Sequence, residues 1–186
     1  MKVKVLSEHG YEEAVLGFSL SYNTSIERTK EILPKYAFGI PGENKFLESI
    51  VLWVDVTAPR FWWQEADTYR VGSTKQSESS MHTLAKNGVT QENFEYPIDN
   101  TTLANINWLI DYYNTEANPG WKTESFARIK NYLPEGFLQR RIWSFNYKTL
   151  QNMYIQRINH RLPQWRYFLT EVTDNIEHKE FIIKGL

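Results

Sequence analysis

Polar and apolar residues alternate at the start of the chain. Lys2-Val-Lys-Val-Leu6 has the period of two that a half-buried strand requires, and predicts a short first strand. The pattern then lengthens. Ala14, Val15, Phe18 and Leu20 recur near helical spacing and predict a helix over Tyr11–Tyr22. Thr24-Ser-Ile-Glu27 has the spacing of a capping box and predicts a second helix, which Pro34 should stop. A loop bearing Gly and Pro is expected over Phe38–Asn44. Phe46–Val56, rich in Ile, Val, Leu and Trp, predicts a strand ended by Ala58-Pro59. Pro59 suits the first turn of a helix running to Arg70.

Val71–Ser80 is polar, with Gly72 and several serines, and reads as a loop. Met81–Lys86 reads as a short helical turn ended by Gly88, and Val89–Asp99 as irregular. Asn100 is expected to cap a helix through Asn114, with Leu103, Ile106, Leu109 and Ile110 on its apolar face. Asn118-Pro-Gly predicts a turn, and Thr123–Tyr132 a helix that Leu133-Pro134 stops. Leu138–Phe145 predicts a strand, Tyr147–Arg161 and Pro163–Glu177 two helices, and Phe181–Ile183 a closing strand. The expected class is α+β, with a small sheet, a majority of helices and one domain over residues 1–186.

Composition narrows the function classes. The chain has 186 residues, 41% hydrophobic and 23% charged, which is ordinary for a globular domain. A net charge of −1 supplies no global basic field, so nucleic acid is not the expected partner. There is no cysteine, which removes thiolate nucleophiles, disulfides and cysteine metal sites. No apolar run approaches a membrane span, and Met1–Ser7 lacks the apolar core of a signal peptide, so a cytoplasmic protein without membrane partners is expected. The four histidines have no metal-ligand spacing, and no metal site is expected. Phosphate-binding glycine loops and serine nucleophile elbows are absent. Aromatic residues reach 15%, with seven Trp and eleven Tyr. They suit a core, a subunit interface or a base-stacking surface, and for Trp62 and Trp63 the core reading leads.

The chemistry concentrates in Leu133–Gln164, which carries Trp143, Asn146, Lys148, Asn152 and Arg157 on a strand end and the following helix. Asn side chains offer paired donors and acceptors, and Arg a planar fork of donors. The set suits a flat, anionic, hydrogen-bonding ligand such as a nucleotide. The same residues would also serve as a solvated helix face or as salt bridges at a subunit interface. Asp67–Ser80 is a second dense polar set, readable as a loop contacting sugar or phosphate or as a solvated connector.

The segment resembles the flavin-dependent thymidylate synthases. Leu133-Pro134, Trp143-Ser-Phe-Asn146, Lys148, Leu150, Asn152 and Arg157 match the family's run from strand to helix without gaps. Pro163-Gln164 stands near its Ala-Gln. Lys130 holds the place of a phosphate-binding Arg. Upstream, Ala58-Pro59, Gln64 and Glu48 match more weakly. The resemblance implies that Arg157 holds the pyrimidine and stabilises charge on a uracil carbonyl. It implies that Lys130 holds the nucleotide phosphate and Gln64 the ribose or base. Ser77 would sit near the reacting face, Arg70 would join the nucleotide contacts, and Asn146, Lys148 and Asn152 would contact flavin. The implied activity is transfer of a methylene group from methylenetetrahydrofolate to dUMP, with FAD and NADPH supplying hydride, in a homotetramer.

The family's Arg-His-Arg signature is not intact. Aligned without a gap it falls on Asp67-Thr68-Tyr69, and with one inserted residue on Thr68-Tyr69-Arg70. Glu43 stands where the family has a flavin-loop His. These changes leave a second functional expectation open: a non-catalytic nucleotide binder, sequestering or sensing its ligand, that kept the nucleotide half and lost the flavin.

Overall fold

A computed structural model describes residues 1–40 and 42–185; Pro41, in the expected Phe38–Asn44 loop, lies outside them. Four strands, β1 (Lys2–His9), β2 (Val51–Pro59), β3 (Ser73–Ser77) and β4 (Leu138–Asn146), form one sheet of order β1-β2-β4-β3. The helices among the described residues are α1 (Tyr11–Tyr22), α2 (Ile26–Ala37), α3 (Arg60–Ala66), α4 (Ser80–Asn87), α5 (Asn100–Thr115), α6 (Pro119–Tyr132), α7 (Tyr147–Arg157) and α8 (Pro163–Asp174). The class is the expected α+β with a small sheet.

Backbone bonds at the strand ends set the register. The Tyr147 N–H donates to the Ile50 carbonyl at 2.9 Å and the Arg60 N–H to the Phe137 carbonyl at 3.0 Å, so β2 and β4 run antiparallel. The Asn146 N–H donates to the Gly72 carbonyl and the Glu78 N–H to the Arg140 carbonyl, both at 3.0 Å, so β3 is antiparallel to β4. By contacts the chain forms two compact units. The first comprises Met1, Thr57–Glu65 and Ser77–Arg141; the second comprises Lys2–Val56, Ala66–Gln76 and the chain from Ile142 onward.

In the first unit, α4, α5 and α6 bury Leu84, Ile106, Ile110, Ile129 and Leu133 in one cluster with Phe94 and Phe137. Asp99 caps α5 by accepting the Thr102 N–H at 2.9 Å, which makes Asn100 the first helical residue instead of the cap. Asn118 caps α6 through the N–H groups of Gly120 and Trp121, with Pro119 in the first turn. The predicted turn is therefore the helix start. Trp62 and Trp63 are wholly buried, as the core reading expects.

In the second unit, the Trp143 ring stacks on Phe168 at 5.5 Å and 19°, and Trp165 meets the same phenyl edge-on. The buried Gln151 amide donates to the carbonyls of Ala37 and Phe181 at 2.9 and 2.8 Å, so one side chain of α7 ties down two distant segments. Tyr147, fully buried at the start of α7, donates its hydroxyl to Glu8 at 2.5 Å.

Several expected elements differ. Val71–Ser80 is not all loop, because Ser73–Ser77 is β3. It is an edge strand held by backbone bonds to β4, and such pairing needs no apolar side chains. Pro34 does not stop α2. It sits near the C-terminal end, where Leu33 and Ala37 are wholly buried and outweigh the missing N–H. The α2 cap is Ser25, which accepts the Arg28 N–H. Phe46 and Leu47 belong to a 3-10 turn over Lys45–Glu48, and the strand begins at Val51. Phe181–Ile183 forms no strand. Lys179–Phe181 is a 3-10 turn whose Phe181 ring packs against Tyr11, Phe46 and Tyr147. The helices expected to reach Arg70, Arg161 and Glu177 end at Ala66, Arg157 and Asp174.

Two consequences are measurable. Gly10, at φ +92°, precedes α1, and a Cβ there would lie 2.2 Å from the Ser49 carbonyl oxygen. Gly10→Ala should therefore destabilise the protein by about 2 kcal/mol or more in urea unfolding. Burial, and then the Glu8 hydrogen bond, raise the Tyr147 hydroxyl above the usual tyrosine range. The native state then keeps a proton that the unfolded chain loses above about pH 10, so this stabilisation is complete below that pH and declines as pH rises. Tyr147→Phe should lower stability by about 1–2 kcal/mol near neutrality. Its unfolding free energy should fall less steeply than that of the parent as pH rises through about 10.

Candidate functional site

Strand β4 becomes helix α7 at Asn146, and that junction forms the floor of a cleft in the second unit. Asn146 has extended backbone, and its Oδ1 accepts the Thr149 N–H at 2.9 Å, which caps the helix. The Thr149 hydroxyl donates to the Val71 carbonyl at 2.7 Å, so the turn after α3 is tied to the first turn of α7. Gly72, at φ +63°, closes that turn. A Cβ there would lie 2.4 Å from the Asn146 Nδ2, so the backbone approaches the amide only because the residue is glycine.

The cleft has a volume of about 420 Å³ and is lined by Glu48, Thr68, Tyr69, Arg70, Val71, Gly72, Asn146, Lys148, Thr149, Asn152 and Gln156. Arg70, Lys148 and Asn152 form no side-chain hydrogen bond or ion pair among the described residues. Two cations and an amide, none with a side-chain partner among the described residues, thus share one concave surface with one carboxylate, Glu48. The Tyr69 hydroxyl accepts from the Arg157 Nε at 3.1 Å and donates to the Gln156 Oε1 at 2.9 Å. Asp67, beside this stretch, is 3.5 Å from the Lys75 Nζ, and that ammonium lies 4.4 Å from the Trp143 ring centre. Glu43 is not in the lining; its carboxylate accepts the Ile40 N–H at 3.3 Å.

Of the residues singled out in the sequence, the cleft gathers Arg70, Asn146, Lys148 and Asn152. Arg157 is close to it without lining it. Its guanidinium lies over Trp165 at 5.3 Å and Tyr69 at 5.9 Å, half-buried at the C-terminal end of α7. Gln64, Ser77 and Lys130 fall in the first unit. There Gln64 donates to the Glu135 Oε2 at 2.9 Å, and Arg60 pairs with the other oxygen of that carboxylate at 3.1 Å. The Lys130 ammonium hydrogen-bonds the Ser80 hydroxyl. Burial, and then the positive charge of Arg60, push its amine below the usual lysine range. Ser77 is exposed at the end of β3.

Sequence reasoning did not single out Gln156 in the cleft, nor Arg60 and Ser80 beside Lys130. Arg60 was detectable as the residue four before Gln64, hence on the same face of α3. Ser80 carried no signal, since only the tertiary fold brings it to a residue fifty positions away. Among the described residues, no group of three or more His, Cys, Asp or Glu could hold a metal ion, and no helix is long and apolar enough to cross a membrane.

No protein-family model matches the chain, and no curated protein matches it. Solved structures do. The flavin-dependent thymidylate synthase ThyX from Helicobacter pylori complexed with FAD and dUMP aligns with a TM-score of 0.76 and 17% identity, over 100% of both chains. A second structure, thymidylate synthase X (ThyX) from Helicobacter pylori with FAD and dUMP, aligns with a TM-score of 0.73 and 15% identity, over 99% of this chain and 98% of that one. A likeness that spans the whole chain at such low identity is a likeness of backbone, and by it this chain has the fold of the flavin-dependent thymidylate synthases.

Proposed function

We propose that the chain is a nucleotide-binding protein that takes its ligand in the second-unit cleft, with the phosphates held by Arg70 and Lys148. The observation that carries this reading is the gathering of Arg70, Asn146, Lys148 and Asn152 around one cleft in which neither cation is ion-paired among the described residues and the one carboxylate is Glu48. An exposed carboxylate and amide leave such a pair hydrated, whereas a phosphate makes charge-assisted bonds to both. Two solved structures of this fold contain FAD and dUMP, which supports a nucleotide as the ligand class. In the first unit, Lys130 is the phosphate contact the resemblance implies. We read the chain as one functional domain and as a homo-oligomer, a tetramer by resemblance.

FAD is the cofactor that the fold implies, and the cleft fits part of it. Arg70 and Lys148 would hold its phosphates, and Asn152 a polar edge. When bound, FAD supplies hydride chemistry, and the protein positions and polarises. With NADPH and methylenetetrahydrofolate the protein would then modify a deoxypyrimidine nucleotide such as dUMP.

A second reading, binding without chemistry, is favoured by two observations. Asp67 contributes a negative charge where one alignment of the family signature has a cation, and it is engaged by Lys75. Arg157, the implied pyrimidine contact, already spends its Nε on the Tyr69 hydroxyl.

Purified protein separates the readings. Absorbance at about 450 nm, the mark of bound flavin, with turnover of dUMP supports the enzyme. A colourless protein that FAD does not stabilise, yet whose Tm rises with dUMP, supports the binder. In either case Arg70→Ala and Lys148→Ala should each weaken nucleotide affinity by about tenfold, the worth of one charge-assisted contact. If neither FAD nor dUMP raises the Tm of the parent protein, the cleft is not a nucleotide site.

A further inference from the structure

Tyr69 occupies an unusual position in the cleft wall. Its ring lies edge-on to Trp165 at 5.8 Å, and its backbone carbonyl accepts the Ser73 hydroxyl at 3.1 Å, so neither ring nor backbone is free to drift. Its hydroxyl is bracketed by two side chains. On the inner side the Arg157 Nε donates to it at 3.1 Å, and the guanidinium is itself held over the Trp165 ring. On the cleft side the hydroxyl donates to the amide oxygen of Gln156 at 2.9 Å. Gln156 is exposed and lines the cleft, so this last contact is the replaceable one.

The direction of these bonds has a chemical meaning. A phenol oxygen that accepts from a cation is depleted of electron density, and its O–H donates more strongly. The hydroxyl cannot turn that hydrogen inward, because the guanidinium has donors and no acceptor. It therefore donates away from Arg157, here to the cleft-lining Gln156. The amide oxygen of Gln156 already shows what fits there, namely a carbonyl flanked by nitrogen. The ring carbonyl of an oxo-heterocycle has the same chemistry. An exocyclic amine at the same place would meet a donor with a donor, leaving two N–H or O–H groups unpaired.

Resting on the nucleotide reading of this cleft, we infer that Tyr69 is a specificity-determining residue that selects nucleotides whose base has a carbonyl, in place of an exocyclic amine, at the ring position the hydroxyl meets. Arg157 is the positioning residue that orients and polarises its hydroxyl. Uracil and flavin rings both present such a carbonyl, and the arms of the test keep them apart.

The test is a set of affinities for dUMP, dCMP and FAD, measured by calorimetry on the full-length protein. dUMP and dCMP share phosphate, sugar and the 2-carbonyl, and differ at position 4, a carbonyl in dUMP and an amine in dCMP, and at the adjoining N3. The parent protein should prefer dUMP to dCMP by about tenfold or more, the cost of an unpaired donor. Tyr69→Phe keeps the ring and its packing; it should lose that preference by weakening dUMP and leaving dCMP within about twofold. Arg157→Lys should reduce the preference partway, since an ammonium donates without the planar fork. Where FAD is the cleft ligand, Tyr69→Phe weakens FAD and leaves the dUMP to dCMP ratio unchanged, which assigns the carbonyl to the flavin. An equal loss for all ligands in Tyr69→Phe, or no loss for any, overturns the inference while leaving the cleft reading standing. Absence of binding by the parent protein to all of them removes both.

Discussion

The Asn146 side chain performs two jobs at one point, and the cleft depends on both. Its carbonyl oxygen caps α7, and its amide nitrogen lies against the bare Cα of Gly72. The cap fixes where the strand ends and the helix starts, so it sets the direction in which Lys148 and Asn152 project. The close approach to Gly72 draws Tyr69, Arg70 and Val71 onto the same surface. A β strand, a helix and a polar turn are thereby converted into a concave wall by a few hydrogen bonds, with the Thr149 hydroxyl on Val71 completing the set.

Charge in this part of the molecule is sorted. Asp67 and Lys75 neutralise one another beside the Trp143 ring, and Arg157 is absorbed into an aromatic cradle. Arg70 and Lys148 line the cleft with no ion pair among the described residues, and share it with the Glu48 carboxylate. Beside the altered signature, the Arg157 guanidinium and the Tyr69 hydroxyl are joined by a hydrogen bond.

The elements most easily read from the sequence were those whose side chains report their own burial. The alternation of β1, the apolar face of α5 and the strand-to-helix run around Trp143 and Asn146 all fall where the pattern predicts or within a few residues. The elements that escaped are those stabilised by backbone pairing or by distant burial. β3 is polar because an edge strand needs only a neighbour's carbonyls, and α2 passes through Pro34 because Leu33 and Ala37 are buried on either side of it. Phe181 is apolar without being a strand, since its ring is held by Tyr11, Phe46 and Tyr147.

The sequence by itself determined the class of the fold and the helix that carries Asn146, Lys148 and Asn152, and it favoured the core for Trp62 and Trp63, because residue type and local spacing suffice for these. It also marked Asp67–Arg70 as a place where the expected cations are altered. Only the tertiary structure decided what those altered residues do. Asp67 turns to Lys75, Arg70 faces the cleft, and Tyr69 takes the hydroxyl contact with Arg157. The physical reason is that hydrogen-bond direction and charge compensation belong to pairs of residues far apart in the chain, and no local pattern encodes which of them will meet.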